Sequence, residues 1–284
     1  MNQNAEGPLR VAIQGIAGCY HDAAAREYFA GRNITAVEFE SFPALFEAVH
    51  YDASLLGIVA IENTIAGSIL PNHELLRQSD VRILGEHKMR ISHVLAAIPG
   101  QTVEDITEVH SHPMALMQCE QFLHRHPHIR KVERFDTAGS AAEIAANGKP
   151  GHAAICGAYA AELYGLEILE REIETNRRNF TRFLVIGDPL VAGESHAAAR
   201  GNKASLVFTL PHAGGALSKV LTILSFYDMN LSKIQSTPII GREWEYRFYV
   251  DLTFEDPVRF HQAIDAVRPL MRHVQLLGQY KSYD

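Results

Sequence analysis

Asn176-Arg177-Arg178-Asn179-Phe180-Thr181-Arg182-Phe183-Leu184-Val185-Ile186 packs three arginines, two asparagines and a threonine into seven residues, then enters an apolar strand. Guanidinium forks bind carboxylates at two points, and carboxamide and hydroxyl groups can orient or protonate a leaving oxygen. α/β proteins place their ligands at strand ends, so this junction predicts an α/β fold with a polar crevice. The arginines alone would describe a solvated basic turn. Thr181-Arg182-Phe183 is what sets the stretch apart.

Upstream, short β-type runs alternate with helical ones. Leu9–Ile13, Thr35–Phe39, Leu56–Ile61, Ile106–His110 and Ala153–Cys156 read as strands, with Phe183–Ile186 closing the region. His21–Ala30, Pro43–His50, Pro113–His124 and Ser140–Ala146 read as helices between them. That alternation implies a mainly parallel sheet. Downstream, Asp188–Asn202 has no apolar period and reads as a linker, counted from residue 191 to 202. The remaining 203–284 spell strand, amphipathic helix, two strands, helix, strand. This βαββαβ order is the ferredoxin-like pattern. The expected division is therefore 1–190, a linker, and 203–284.

The bulk numbers set limits. Hydrophobic content of 47% and charged content of 21% are those of an ordinary globular chain, and a net charge of −7 excludes a broad nucleic-acid-binding face. Cys19, Cys119 and Cys156 are odd in number and widely spaced, which suits a reducing compartment. The polar N-terminus lacks a signal-peptide core, and the apolar runs are strand-sized, so a cytoplasmic protein without membrane spans is expected.

Several polar motifs follow strands. Gly15-Ile16-Ala17-Gly18-Cys19-Tyr20-His21 opens a helix whose N–H groups could receive an anion, but Ala17 excludes a dinucleotide fingerprint. Glu62-Asn63-Thr64-Ile65-Ala66-Gly67-Ser68 follows a buried strand and faces the expected crevice, or serves as a capped loop. Ser111-His112-Pro113 follows another strand, with Ser111 a good N-cap and Gln118 further along the helix. His124-Arg125-His126-Pro127-His128 reads as an exposed helix end rather than a metal site. No motif for a metal, nucleotide or redox cofactor appears, so none is expected.

Taken in order, these motifs resemble the prephenate dehydratase family. The matches are Gly15, Gly18 and Tyr20; Glu62, Asn63, Gly67 and Ser68; Ser111, His112, Pro113, Gln118 and Cys119; and Asn179 to Phe183. Ile16 and Cys19 stand where the family carries proline and a hydroxyl residue, and Thr64 replaces serine. The C-terminal unit resembles an ACT domain, with Gly215-Ala216-Leu217 and Asn230-Leu231 kept. The family's Glu-Ser-Arg-Pro motif is here Gln235-Ser236-Thr237-Pro238.

The resemblance implies a two-lobed, periplasmic-binding-protein-like catalytic region that expels CO2 and water from prephenate to give phenylpyruvate. Thr181, Asn63, Ser111 and Gln118 would be catalytic. Arg182, Phe183, Glu62, Thr64, Gly18, Cys19 and Tyr20 would bind substrate; because a cationic site would stabilise the carboxylate that must leave, the arginines are expected on the pyruvyl side chain. Gly215, Ala216, Leu217, Asn230, Leu231, Gln235 and Ser236 would bind the effector L-phenylalanine, in a homodimer or homotetramer joined through ACT domains. Aromatisation drives the reaction, so no electron sink is required. The alternatives are an arogenate dehydratase and a non-catalytic ACT-linked sensor.

Overall fold

A computed structural model describes residues 7–188, 190 and 201–283. The expected linker, 191–202, lies outside the described residues except for Gly201 and Asn202. The elements run β1 (Leu9–Gln14), α1 (Tyr20–Tyr28), β2 (Ile34–Phe39), α2 (Phe42–Tyr51), β3 (Leu56–Asn63), β4 (Gly67–Ser68), α3 (Leu70–Gln78) and β5 (Arg82–Arg90). Next come β6 (Val94–Ala97), β7 (Glu108–Ser111), α4 (Pro113–Gln118), α5 (Glu120–Arg125), β8 (Arg130–Glu133), α6 (Thr137–Asn147), β9 (His152–Cys156), α7 (Ala158–Leu163), β10 (Glu167–Arg171) and β11 (Phe180–Gly187). The chain ends with β12 (Lys203–Thr209), α8 (Ala216–Phe226), β13 (Asn230–Pro238), β14 (Tyr246–Thr253), α9 (Pro257–Val267) and β15 (Arg272–Tyr280).

The described residues form three sheets, ordered β2-β1-β3-β11-β5 with β4 folded onto β3, β10-β6-β9-β7-β8, and β13-β14-β12-β15. The expectation of a mainly parallel sheet needs correction. In the second sheet β7 is parallel to both β8 and β9, but β6 is antiparallel to β9 and β10. The sequence pattern overlooked β5, β6, β8 and β10, and with them those reversals. The helix expected over Pro113–His124 breaks at Cys119, which leaves helical geometry at φ −100° and ψ 19°. Its cap is not Ser111, which still belongs to β7, but His112, whose Nδ1 accepts the Met114 N–H at 3.2 Å.

Two compact units divide the chain. The first takes in Met1–Leu45, Gly57–Ile69 and Lys88–Phe183, and the second Phe46–Leu56, Leu70–His87 and Leu184–Asp284. The first unit's second sheet packs Leu95, Val109 and Ile155 against Leu116 and Phe122 of its helices. Among the described residues no helix is long and apolar enough to cross a membrane.

In the second unit, the C-terminal elements follow the βαββαβ order, with Leu206, Phe208, Val250 and Leu252 of the sheet packed on Val220, Leu224, Phe260 and Ile264 of the helices. The segments 46–56 and 70–87, expected with the N-terminal domain, group with this unit. Two carboxylates on the second of these segments bond to the C-terminal elements. Glu74 on α3 accepts Arg247 Nη1 at 3.0 Å and Tyr249 Oη at 2.7 Å. Glu86 on β5 accepts Lys203 Nζ at 2.9 Å on both oxygens, and also the Tyr283 N–H at 3.0 Å. The Lys203 and Glu86 side chains are only 8% and 3% exposed. Removing one partner of such a pair strands a buried charge. Lys203→Met should therefore cost about 3–5 kcal/mol in urea denaturation. A loss below about 1 kcal/mol would place the pair among solvated bridges instead.

Candidate active site

A cavity of about 1040 Å³ opens within the first unit, lined by strand ends and helix starts. β3 contributes Ala60 and Asn63, β11 contributes Thr181 and Phe183, and the turn into α1 contributes Gly15, Cys19, Tyr20 and His21. The second sheet's side adds Ile91, His93, Met114 and Gln118, and the start of α6 adds Arg134 to Thr137.

Asn63 organises the polar wall. Its Oδ1 accepts the Ile65 and Ala66 N–H groups at 2.9 Å each, which determines which end of the carboxamide is oxygen. Nδ2 therefore faces Asn179 Oδ1 at 2.8 Å, Thr181 Oγ1 at 2.9 Å and the Phe180 carbonyl at 3.2 Å. Thr181 Oγ1 acts as an acceptor in this contact, so its hydrogen remains to be donated elsewhere. Thr64 holds the neighbouring turn. Its hydroxyl donates to the Arg178 carbonyl at 3.0 Å and accepts the Phe180 N–H at 2.9 Å.

The wall continues from Asn179, whose Nδ2 donates to Gln118 Oε1 at 3.2 Å. The same oxygen lies 2.9 Å from His93 Nε2, so that nitrogen must carry the proton. Burial lowers the His93 pKa, keeping the ring neutral, and its Nδ1 lies 2.8 Å from Tyr20 Oη, whose one hydrogen is shared with the Ser92 carbonyl, also at 2.8 Å. Burial also pushes the Tyr20 pKa well above its ordinary value, so the phenol stays protonated. Behind His93, Glu174 accepts its N–H at 2.9 Å and Arg90 Nη2 at 2.8 Å. Arg90 Nε also donates to the Arg177 carbonyl at 3.1 Å, bracing the approach to β11.

Charge on the lining is mixed. Arg134 donates to both oxygens of Glu143, at 2.7 and 3.0 Å, and Glu38, Glu40 and Asp136 also reach the cavity. Cys19 lies on the wall as a neutral thiol, pushed up to about 12 by burial. Phe183 is buried and meets His21 edge-on, with ring centroids 5.3 Å apart.

Of the residues expected at the site, Thr181, Asn63, Gln118, Phe183, Cys19 and Tyr20 line the cavity. Ser111 does not, because it is fully buried and its hydroxyl donates to the Ile155 carbonyl at 2.6 Å. Arg182 and Glu62 do not either. Side chains alternate along a strand, so Thr181 and Phe183 on one face put Arg182 on the other, 4.0 Å from Glu62. Thr64 is committed to the backbone of the 178–180 turn. Gly18 has a backbone role, since its φ is +87° and a Cβ there would meet Ala160 Cα at 3.1 Å. His93, Arg90, Glu174 and Arg134 were not anticipated. The run Met89-Arg90-Ile91-Ser92-His93 carried the only local signal, an alternation of apolar and polar residues.

Residues 11–190 match the family described as "PDT: Prephenate dehydratase". The chain belongs to the prephenate dehydratase family. Members of this family are lyases. An Arabidopsis thaliana relative named arogenate dehydratase/prephenate dehydratase 2, chloroplastic, is 35% identical over 97% of this chain and 72% of its own. Among solved structures, a prephenate dehydratase from Arthrobacter aurescens in complex with L-Phe is 27% identical, with a TM-score of 0.83 over 96% of this chain and 89% of its own. A protein titled "GqqA- a novel type of quorum quenching acylases" is 30% identical, with a TM-score of 0.84 over 96% and 98%.

Burial of His21 predicts a pH-dependent stability. His21 Nε2 accepts the Ala60 N–H at 3.3 Å, and burial lowers its pKa from the ordinary 6.5 to about 4. Between those values the unfolded chain binds a proton that the folded chain does not, so stability rises with pH across the window. The melting temperature should fall as pH drops from 6.5 to about 4, and less steeply in His21→Gln. Equal slopes in both proteins would mean that His21 is solvated.

Proposed function

We propose that this chain is a prephenate dehydratase, converting prephenate to phenylpyruvate with loss of CO2 and water. The observation that carries the reading is the Asn63–Thr181 hydrogen bond, which aims the threonine's donor capacity at the cavity. Thr181 donates to the departing ring hydroxyl. A threonine is too weak an acid to release its proton in advance, so the proton moves to the leaving oxygen only as the C–O bond breaks, water departs, and solvent restores the threonine's proton. Gln118 and Asn179 hold Asn63 and Thr181 in place, and His93 and Tyr20 hold Gln118. The ring lies against Phe183, leaving the departing carboxylate in apolar surroundings. Arg134, rather than Arg182, meets the pyruvyl carboxylate.

Acyl transfer through the cysteines or Ser111 of this chain is disfavoured. Cys19 and Cys156 are held as thiols with pKa values near 12, Cys119 is raised likewise, and the Ser111 hydroxyl is committed to a carbonyl. Arogenate is the second reading. It carries an ammonium where prephenate carries a keto group, and Glu38, Glu40 and Asp136 on the lining suit a cation. Relative kcat/KM for the two substrates decides between them. Tight binding without turnover of either would instead indicate a sensor.

We further propose that 203–284 form an ACT unit that binds L-phenylalanine and joins copies of the chain. Gly215 caps α8 at φ +75°, and Asn230, Leu231, Gln235 and Ser236 lie on β13, an edge strand whose exposure alternates along its length. An edge strand with Ile234 exposed suits pairing with a second copy.

Turnover of prephenate, followed by the ultraviolet absorbance of phenylpyruvate, tests both parts when repeated with added L-phenylalanine. Suppression by the amino acid is expected, and insensitivity would remove the effector role. Thr181→Ala should lower kcat by roughly 10²–10⁴, while Thr181→Ser keeps most of it. A near-normal kcat in the alanine variant would take Thr181 out of the mechanism. Arg134→Lys should raise KM more than Arg182→Lys, because lysine lacks the two-point fork. The reverse order would return the carboxylate to Arg182.

A further inference from the structure

A second cluster of ionisable side chains lies away from the cavity wall, on the second sheet. Glu108 and His110 are two residues apart on β7 and so share a face. The parallel neighbour β9 sets His152 directly opposite Glu108, which brings the three side chains together. Glu108 Oε2 lies 3.4 Å from His110 Nε2 and 3.8 Å from His152 Nδ1. One ligand atom from each residue falls within 4.8 Å of the other two. The ligands of a tetrahedral zinc ion, bonded at about 2.0–2.1 Å, stand roughly 3.3 Å apart. Small side-chain rotations would close the cluster around such an ion.

The independent observation is His110 itself. It is only 5% exposed, and neither ring nitrogen makes a hydrogen bond. Buried ring nitrogens are normally paired, whereas the nearest polar atoms here are carboxylate oxygens at 3.4 and 4.0 Å, too long or poorly aligned for a full hydrogen bond, and such under-satisfied nitrogens suit a ligand. The surroundings suit a metal on Nε2. Glu143 Oε1 lies 4.0 Å from Nδ1, placed to receive the Nδ1–H that ligation through Nε2 would leave. Arg130 Nη2 donates to Glu108 Oε1, leaving Oε2 to the two histidines.

We propose that Glu108, His110 and His152 form a binding site for a divalent transition-metal ion of the zinc type. Two imidazoles and a carboxylate leave a fourth position for water, and this donor set favours zinc, cobalt or nickel over magnesium or calcium. The positive charges of Arg130 and Arg134 nearby weaken the site. The histidine-rich stretch at 124–128 differs. There His124 is largely exposed beside Glu120, and His126 Nδ1 lies 3.0 Å from the Phe122 carbonyl. The inference does not depend on the dehydratase reading. It has one link to the cavity, since Glu143 also holds Arg134.

The test uses the full-length, untagged protein, stripped with a chelator and titrated with Co2+, reading the visible absorption of tetrahedral cobalt and its displacement by Zn2+. One equivalent should bind with a Kd tighter than about 10 µM. His110→Ala and His152→Asn should each weaken it at least tenfold, and Glu143→Gln by roughly tenfold. His124→Ala/His128→Ala should bind like the wild type. Circular dichroism checks folding of each variant. Should His110→Ala fail to fold, His152→Asn and Glu108→Gln carry the same comparison. No stoichiometric binding, or binding kept in folded His110→Ala and His152→Asn, overturns the proposal.

Discussion

The carboxamide of Asn63 is the constraint on which the candidate site depends. Its oxygen is held by two backbone N–H groups of its own turn, so its nitrogen has a single direction in which to donate. That direction meets Asn179, Phe180 and Thr181, which are more than a hundred residues away in the chain. A carboxamide suits this task because it donates and accepts at opposite ends of a rigid plane, with no charge to desolvate. Aspartate would repel the acceptors it faces, and an aliphatic residue would leave the β11 turn untied.

From that tie, a line of polar groups extends through Gln118 and His93 to Tyr20, and each member fixes the protonation or orientation of the next. The oxygen of Gln118 dictates the His93 tautomer, and burial keeps both His93 and Tyr20 uncharged. A neutral, pre-oriented wall suits a reaction in which a dianion loses one of its carboxylates. A strongly cationic wall would stabilise the carboxylate that must leave. Arg134 is the arginine on the lining, and it arrives already paired with Glu143. Glu143 offsets its charge and holds its planar fork in position.

The second unit uses charge differently. Glu74 and Glu86 lie on segments that precede the C-terminal elements by well over a hundred residues, yet their partners are Arg247, Tyr249 and Lys203. Hydrogen bonding from Arg77 and Tyr249 holds the Glu74 carboxyl near a pKa of about 2, so it stays ionised under all ordinary conditions. These pairs tie the segment 70–87 to the C-terminal elements within one compact unit. The family match over 11–190 describes a stretch of sequence, whereas packing divides the chain by contacts.

The sequence by itself determined the α/β class and the order of the C-terminal elements, and it singled out Asn63, Gln118 and Thr181, which line the cavity, because strand ends and element periods are local properties. Arg182 lies between Thr181 and Phe183, and a period of two puts it on the opposite face of the strand. Ser111 likewise follows His110 on β7, and its hydroxyl turned to the neighbouring strand. Only the tertiary structure decided the partners. His93, Arg134 and the Glu108–His110–His152 cluster each depend on which strand or helix lies alongside. Spacing along the chain cannot specify that, because hydrogen bonds and ligand sets form between segments that only folding brings within a few ångströms.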